Sequence, residues 1–135
     1  MKGLALVGLS YMNADNHTPN MHPSSETRTI ESVLPRLTIP TDRPSVLLHY
    51  SPAGAEYVAA KGVSLMLAGH THAGQVFPIT LLTPYIYPFN RGLYRQGELT
   101  IFVSPGAGTF MSPVRLGTSN EIDLLRLTPS GANNH

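Results

Sequence analysis

Two short apolar segments, each followed by histidine, constrain the fold of this chain more than any other feature. Residues 45–49 and 63–68 are typical of buried strands, because they are short, apolar and bounded by residues that interrupt regular structure. The Ala-rich residues 52–62 between them predict a short helix, with Gly62 placed to end it. A connection of about a dozen residues through a helix makes the two strands parallel, so we predict a βαβ unit.

Histidines follow both predicted strands. His49 ends the first, and His70 and His72 stand in the turn after the second, between Gly69 and Gly74. The carboxyl ends of parallel strands share one edge of a sheet, where α/β proteins bind ligands. A tight turn with flanking glycines can aim two imidazoles apart, and neutral imidazole is a common ligand of divalent metals. We therefore predict a metal site here; histidines bonded only to backbone are the alternative.

The residues around these histidines resemble the calcineurin-like metallophosphoesterases. His49 with Pro52, and then residues 69–72, are similar to the last two motifs of that superfamily. Further similarity, to a bacterial and often membrane-associated branch, lies in residues 74–78, 92–95, 103–109 and 113–117. The resemblance extends over about residues 45–127.

The resemblance implies a fold, a cofactor and a reaction. The fold would be α/β, the C-terminal portion of a four-layer αββα sandwich with a mixed β-sheet. His49 and His70 would bind one of two divalent metal ions (Mn, Zn or Fe), and His72 the other. The activity would be phosphoester hydrolysis by a metal-bound hydroxide. Arg115 is our candidate for contact with the substrate phosphate, because guanidinium matches phosphate in bidentate geometry; a surface or carboxylate-paired arginine is the alternative.

The earlier motifs of the superfamily are absent from this chain. Asp-x-His, Gly-Asp-x-x-Asp and Gly-Asn-His-Asp/Glu, which supply the bridging carboxylate and an Asn ligand, do not occur. We therefore expect residues 1–127 to form the C-terminal half of a catalytic domain, followed by a disordered tail at 128–135. No residue is assigned as a catalytic acid or base, and we expect weak or absent catalysis by this chain alone. A non-catalytic metal-binding or interaction module derived from the same fold is the alternative.

Composition and neighbouring residues exclude several other classes. The net charge of +1 offers no electrostatic case for binding nucleic acid, and the absence of cysteine excludes thiolate metal sites. In metallo-β-lactamases the His-x-His pair continues to an Asp-His pair, whereas Ala73 and Gly74 follow here. A cupin needs a nearby glutamate, and the nearest downstream acid is Glu98.

The rest of the chain yields coarser predictions. Residues 10–23 predict a polar loop, whose His17 and His22 are extra ligands, phosphate contacts or solvated side chains. Residues 24–34 predict a helix that begins with serine caps, because Ile30, Val33 and Leu34 share one face.

The remaining predictions concern contact with a membrane and the strands at both ends of the chain. Residues 1–9 read as a short strand rather than a signal peptide, and no run approaches the roughly 20 apolar residues of a spanning helix. Residues 78–90 are apolar and proline-rich, which indicates either a lid or peripheral membrane contact, or a packed irregular loop with a helical turn. Residues 92–103 predict a hairpin, and the alternation in 121–127 predicts a half-buried strand.

Overall fold

A computed structural model describes residues 3–20 and 22–128 of the chain. Its elements, in chain order, are β1 (Ala5–Gly8), α1 (Ile30–Val33), a 3₁₀ turn (Leu34–Arg36), β2 (Ser45–Leu48), α2 (Ala55–Ala60), β3 (Leu65–Ala68), a second 3₁₀ turn (His72–Gly74), α3 (Ile79–Ile86), β4 (Gly92–Gln96) and β5 (Leu99–Val103). Nearly all of the predicted tail, residues 129–135, lies outside the described residues.

The strands form one five-stranded sheet in the order β1-β2-β3-β5-β4. β1, β2, β3 and β5 are mutually parallel, and only β4 runs antiparallel, against β5. The predicted βαβ unit is confirmed: α2 connects β2 to β3, and Gly62 follows the helix with a φ of +78°. The mixed α/β class is confirmed too, and His49, His70 and His72 all follow strands that end at the same edge of the sheet.

The hydrophobic core lies on one face of this sheet. Leu47, Met66 and Ile101 stand opposite one another across β2, β3 and β5, and none of them is exposed to solvent. Ile30 and Val58, from α1 and α2, are buried in the same cluster. Because successive side chains of a strand point to opposite faces, this transverse row is buried by a single layer of helices and loops.

The opposite face of the sheet, which we call the open face, is apolar, and several of its side chains are exposed although Val46 is buried. Leu6 on β1 and Leu93 on β4 are 67% and 68% exposed, and Leu48 on β2 is also exposed. Leu67 and Phe102, which lie between them in the sheet, are half-buried. No helix in the described ranges covers this face, which is unusual for strands that are parallel, since parallel sheets normally carry a layer on each side.

The predicted helix over 24–34 is largely wrong, because the helix begins later. Ser24 does not cap it; its hydroxyl instead donates to the Tyr11 carbonyl at 2.8 Å. Thr29 and Ser32 form the capping box, in which each side chain accepts a hydrogen bond from the other residue's backbone N–H. Pro35 falls in the 3₁₀ turn that follows α1. A pairing between Asn13 and Thr29 holds the preceding residues extended.

The predicted strand over 121–127 is also wrong. Ile122 and Leu124 are 91% and 97% exposed, and the segment has no regular structure. Only its first residue is anchored, by an ion pair between Glu121 and Arg91 and by the Glu121 N–H, which donates to the Gly106 carbonyl. Alternating side chains are insufficient for a strand without a neighbour for its backbone, and the described part of the chain supplies none beside this segment.

The predicted hairpin is confirmed as β4 and β5, joined at Gly97, where φ is +60°. β5 also pairs with β3, which places residues 104–108 at the same edge as the histidines. Residues 78–90 contain an eight-residue helix, α3, where the sequence left a lid, membrane contact or a packed loop with a helical turn open.

Candidate functional site

The turn after β3, residues 70–75, which we call the histidine turn, has a strained backbone. The φ angles of His70, His72, Ala73, Gly74 and Gln75 lie between +48° and +81°. Apart from Gly74, each of these residues is destabilised by about 1–3 kcal/mol in the left-handed region of backbone conformation. Gly69, expected to absorb such strain, does not have a positive φ. The histidines themselves therefore carry the unusual conformation, which requires firm support from the surrounding structure.

Gln75 provides much of that support. Its side-chain amide nitrogen lies within hydrogen-bond distance of the carbonyls of Phe110, Ser112 and Val114, at 2.9–3.1 Å, and its oxygen accepts from the Phe110 N–H. Thr71 adds a second tie, because its hydroxyl donates to the Asn90 carbonyl. Both side chains are buried. Sequence reasoning used Gln75 only as part of a motif and missed this role, since its partners lie more than 30 residues away.

His70 is surrounded by aromatic rings. Its ring centroid lies 4.6 Å from that of Tyr50, 5.4 Å from that of His22, and 6.2 Å from those of Tyr11 and Tyr87. Its Nδ1 atom is buried and has no hydrogen-bond partner among the described residues. A buried imidazole nitrogen without a partner is costly, and it is a ready donor to a ligand.

His70 is held in the neutral state. Burial is the largest cause that lowers the pKa of His70 from its ordinary value of 6.5 to about 4, and electrostatic repulsion from His22, His72 and His49 contributes to the same shift. Neutral imidazole retains a lone pair at physiological pH, so His70 is suited to bind a cation.

We expect His70 to titrate near pH 4, with a consequence for stability. Because the pKa of His70 is lower in the folded chain than in the unfolded chain, its neutral form stabilises the fold above pH 6.5, and this contribution is lost as the pH falls towards 4. Histidine Cε1–H resonances followed by NMR, assigned with His70→Asn, measure the pKa. Urea unfolding between pH 6.5 and 4 should be less pH-dependent in that variant. A midpoint at or above 6.5 for His70 would contradict this expectation.

His72 points into different surroundings from His70. Its Nδ1 lies 3.4 Å from an amino group of Arg115, and its ring stacks near Phe110 at a centroid distance of 6.3 Å. Burial lowers the pKa of His72, and the positive charge of Arg115 lowers it further. Since guanidinium can only donate, Nδ1 accepts in this contact and the neutral ring carries its hydrogen on Nε2.

Arg115 is a structural anchor for the loop after β5. Its guanidinium donates to the carbonyls of Pro105, Gly106 and Gly108 at 2.5–3.2 Å, and to the carbonyl of His72 at 3.3 Å. The sequence allowed a phosphate contact or a surface or carboxylate-paired arginine, and in the structure the guanidinium donates mainly to backbone carbonyls, with the His72 Nδ1 and the Thr118 hydroxyl as further partners. Contact between Arg115 and a phosphate stays a prediction.

His49 lines a different depression from the other two predicted ligands. It is buried, its Nδ1 donates to the Ser51 carbonyl at 2.8 Å, and its Nε2 faces the Met12 N–H at 3.4 Å. Burial lowers the pKa of His49, so it too is neutral. Both of its ring nitrogens already face protein groups. Its ring and that of His70 stand on either side of Tyr11, each 6.2 Å from the tyrosine ring.

A cavity of about 310 Å³ opens between the histidine turn and α3. His22, His70 and His72 line it, whereas His49 lines a neighbouring shallow depression. His22 was weighed as a solvated loop histidine, and its contact with His70 could not be foreseen from the polar loop around it. His17 is exposed and is not among the lining residues.

The donor set fits a dinuclear metal centre only in part. The unpartnered Nδ1 of His70 suits a divalent cation. Asp15, a buried carboxylate, accepts hydrogen bonds from the N–H groups of His17 and Thr18 and from the Tyr57 hydroxyl. Those hydrogen bonds lower the pKa of Asp15 to about 2. Within residues 3–20 and 22–128, no three His, Cys, Asp or Glu side chains are arranged to hold a metal ion. The assignment of His49, His70 and His72 as ligands stays a prediction.

Curated proteins that are 32–42% identical to this chain are named metallophosphoesterases, which supports the calcineurin-like metallophosphoesterase superfamily for the matched segment. The chain is 42% identical over 89 residues to a transmembrane protein with metallophosphoesterase domain from Bos taurus, a match covering 64% of this chain and 20% of that protein. A protein of the same name from Danio rerio is 42% identical over 85 residues, covering 61% of this chain and 20% of that protein. An uncharacterized metallophosphoesterase from Helicobacter pylori is 40% identical over 89 residues, covering 64% of this chain and 24% of that protein.

The matches to curated proteins extend over only part of each relative. The chain spans about a fifth to a quarter of the length of these curated relatives. No family model matches the chain, and no solved structure matches it significantly. Among the helices of the described ranges, none has both the length and the apolar character needed to cross a bilayer.

Proposed function

We propose that this chain supplies the histidine side of a dinuclear metal centre in a metal-dependent phosphoesterase. His70 and His72, with His49 beside them, would be its ligands. Divalent metal ions in such a centre supply Lewis acidity and a nucleophilic hydroxide for hydrolysis of a phosphoester. The chain's own residues position the donors: the histidine turn aims two imidazoles into one cavity, and Arg115 and Gln75 hold the surrounding loops.

One observation carries this proposal. His70 presents a buried, neutral imidazole whose Nδ1 has no partner in the described structure, at the edge where β2 and β3 end. A fold tolerates such an atom most readily when a ligand completes its coordination. The strained φ angles of His70 and His72 support the same interpretation, because strain of this kind concentrates at functional sites.

The bridging carboxylates of the centre would come from further residues of a complete domain. Two observations support this part of the proposal. The matched relatives are four to five times longer than the segment they share with this chain, and the open face of the sheet exposes Leu6, Leu48 and Leu93. Another layer packed on that face would remove its apolar surface from water, which stabilises a fold by about 25 cal/mol for each Å² buried.

Metal binding tests the proposal directly. Calorimetric titration of the 135-residue chain with Zn²⁺ or Mn²⁺ at pH 7.5 should detect binding that His70→Ala weakens at least about tenfold, equal to about 1.4 kcal/mol. His72→Ala should weaken it similarly. His17→Ala is the matched control, since that histidine is exposed and is not a lining residue of the cavity. Metal affinity that does not change in His70→Ala and His72→Ala would refute the proposed ligands.

Turnover separates the enzyme from a second candidate, a non-catalytic metal-binding module. The lack of a free carboxylate beside His70 in the described structure favours this second candidate for the chain by itself. With Mn²⁺ or Zn²⁺ and an aryl phosphate, we expect little or no hydrolysis by this chain. Robust turnover that His72→Ala abolishes would show instead that these 135 residues are sufficient for catalysis.

A further inference from the structure

The cavity beside the histidine turn has two chemically different walls. His22, His70 and His72 form one wall. The other wall is apolar and comes from α3 and the loop after β5, with Ile79, Ile86 and Phe110 among its residues. At about 310 Å³ the cavity is at the small end of the range for ligand sites, which hold mostly apolar groups oriented by a few polar ones.

α3 is uncharged along its whole length. Residues 79–86 contain no acidic or basic side chain, and Thr83 turns its hydroxyl back to the Ile79 carbonyl at 2.8 Å. No lysine or arginine lines the cavity among the described residues. Arg115, whose guanidinium lies close to His72, is not among the residues that line the cavity. A second anionic group on a ligand would therefore lose its hydration here without gaining a partner.

The apolar wall is held in a defined position relative to the histidines. Gly74 lies between them and α3, and a Cβ atom at that position would come within 2.7 Å of the Thr80 Cα. The glycine lets the backbone of α3 approach the histidine turn closely. The polar wall and the apolar wall are thus parts of one packed unit.

From this geometry we propose that the site takes an amphiphilic phosphomonoester or phosphodiester, with its phosphate at His70 and His72 and its alkyl or aryl group against Ile79, Ile86 and Phe110. The phosphate end rests on the proposed function; the hydrocarbon end rests on the apolar wall alone. Burial of the hydrocarbon supplies affinity in proportion to its apolar area, which a small polar ester cannot obtain from this wall.

Alkyl phosphates of different length test the inference by binding, without turnover. Methyl phosphate, hexyl phosphate and hexanol are titrated into the full chain and followed by NMR at the isoleucine methyl groups and histidine rings. We expect hexyl phosphate to bind at least about tenfold tighter than methyl phosphate, since each fully buried methylene contributes about a factor of four. Hexanol should shift the isoleucine methyl resonances. Equal affinity for methyl and hexyl phosphate would overturn the inference.

Two variants on one helix provide the control. Ile79→Asn, which alters the cavity wall, should reduce the preference for hexyl over methyl phosphate to less than about threefold. Leu82→Asn, at a residue that does not line the cavity and is 56% exposed against 53% for Ile79, should leave it unchanged. Circular dichroism verifies that both variants fold. An equal loss in Leu82→Asn, or an unchanged preference in Ile79→Asn, would overturn the inference.

The outcomes distinguish this inference from the proposed function. Metal binding that depends on His70, without any dependence on alkyl length, would overturn the inference alone. A preference for hexyl phosphate that Ile79→Asn removes, without metal binding at His70, would overturn the proposed function and leave the apolar wall supported.

Discussion

Gly74→Ala is expected to destabilise this protein by about 2–4 kcal/mol, through both backbone strain and steric overlap. Gly74 has a φ of +81°, and an added Cβ would lie 2.7 Å from the Thr80 Cα and against the Thr83 hydroxyl. The added Cβ would also lie 2.9 Å from the Thr80 N, and because the Thr80 Cα and N are backbone atoms of α3, a side-chain rotation cannot relieve the contact. The helix must move away from the histidine turn, or the turn must unfold.

Urea unfolding measures this effect, and Gly62→Ala is its matched control. Gly62 has a nearly identical φ of +78°, but an added Cβ there meets nothing within 4 Å. The control should lose only about 1–2 kcal/mol, the cost of the left-handed backbone. The difference between the variants isolates the steric contact with α3. If Gly74→Ala costs no more than Gly62→Ala, the close approach of α3 to the histidine turn is refuted.

Leu47→Ala is expected to cost about 3 kcal/mol in the free energy of unfolding. Leu47 lies in the centre of β2, opposite Met66, and is completely buried under the helices. Removing its three outer carbon atoms loses their transfer free energy and leaves a cavity that β2 and β3 cannot collapse to fill.

The neighbouring residue provides the comparison for this second prediction. Leu48 points to the open face and is 38% exposed, so Leu48→Ala should cost less than about 1 kcal/mol. Chemical denaturation of both variants under the same conditions gives the difference. Equal losses would mean that the two faces of the sheet are equally buried in this chain, which would contradict the single-layer architecture.

Local patterns were sufficient for the elements that position the site. The βαβ unit followed from two apolar runs and an Ala-rich connection, because strand burial and helix capping at Gly62 depend on residues close in sequence. Predictions from local patterns were wrong where an element depends on a contact with a distant segment. The segment 121–127 alternates as a strand should, but its backbone has no neighbouring strand in the described structure. The helix predicted over 24–34 begins only at Ile30 in the structure, and Ser24 does not cap it because its hydroxyl donates to the Tyr11 carbonyl.

The candidate site shows the same division. That His49, His70 and His72 follow neighbouring strands could be predicted from their positions after apolar runs. The part played by His22 could not, because its ring meets His70 across 48 residues of sequence in the folded chain. The role of Arg115 was equally hidden, since its carbonyl partners belong to a loop without regular structure.

By itself the sequence predicted the family resemblance, the βαβ unit and the edge at which the histidines stand, because periodicity, glycine placement and short motifs act over a few residues. Only the tertiary structure decided that His70 is neutral with an unpartnered nitrogen, that His49 faces a different depression, and that α3 forms an apolar wall beside the histidines. These properties depend on burial and on contacts between distant segments. No local pattern encodes how much solvent a side chain loses when such segments meet.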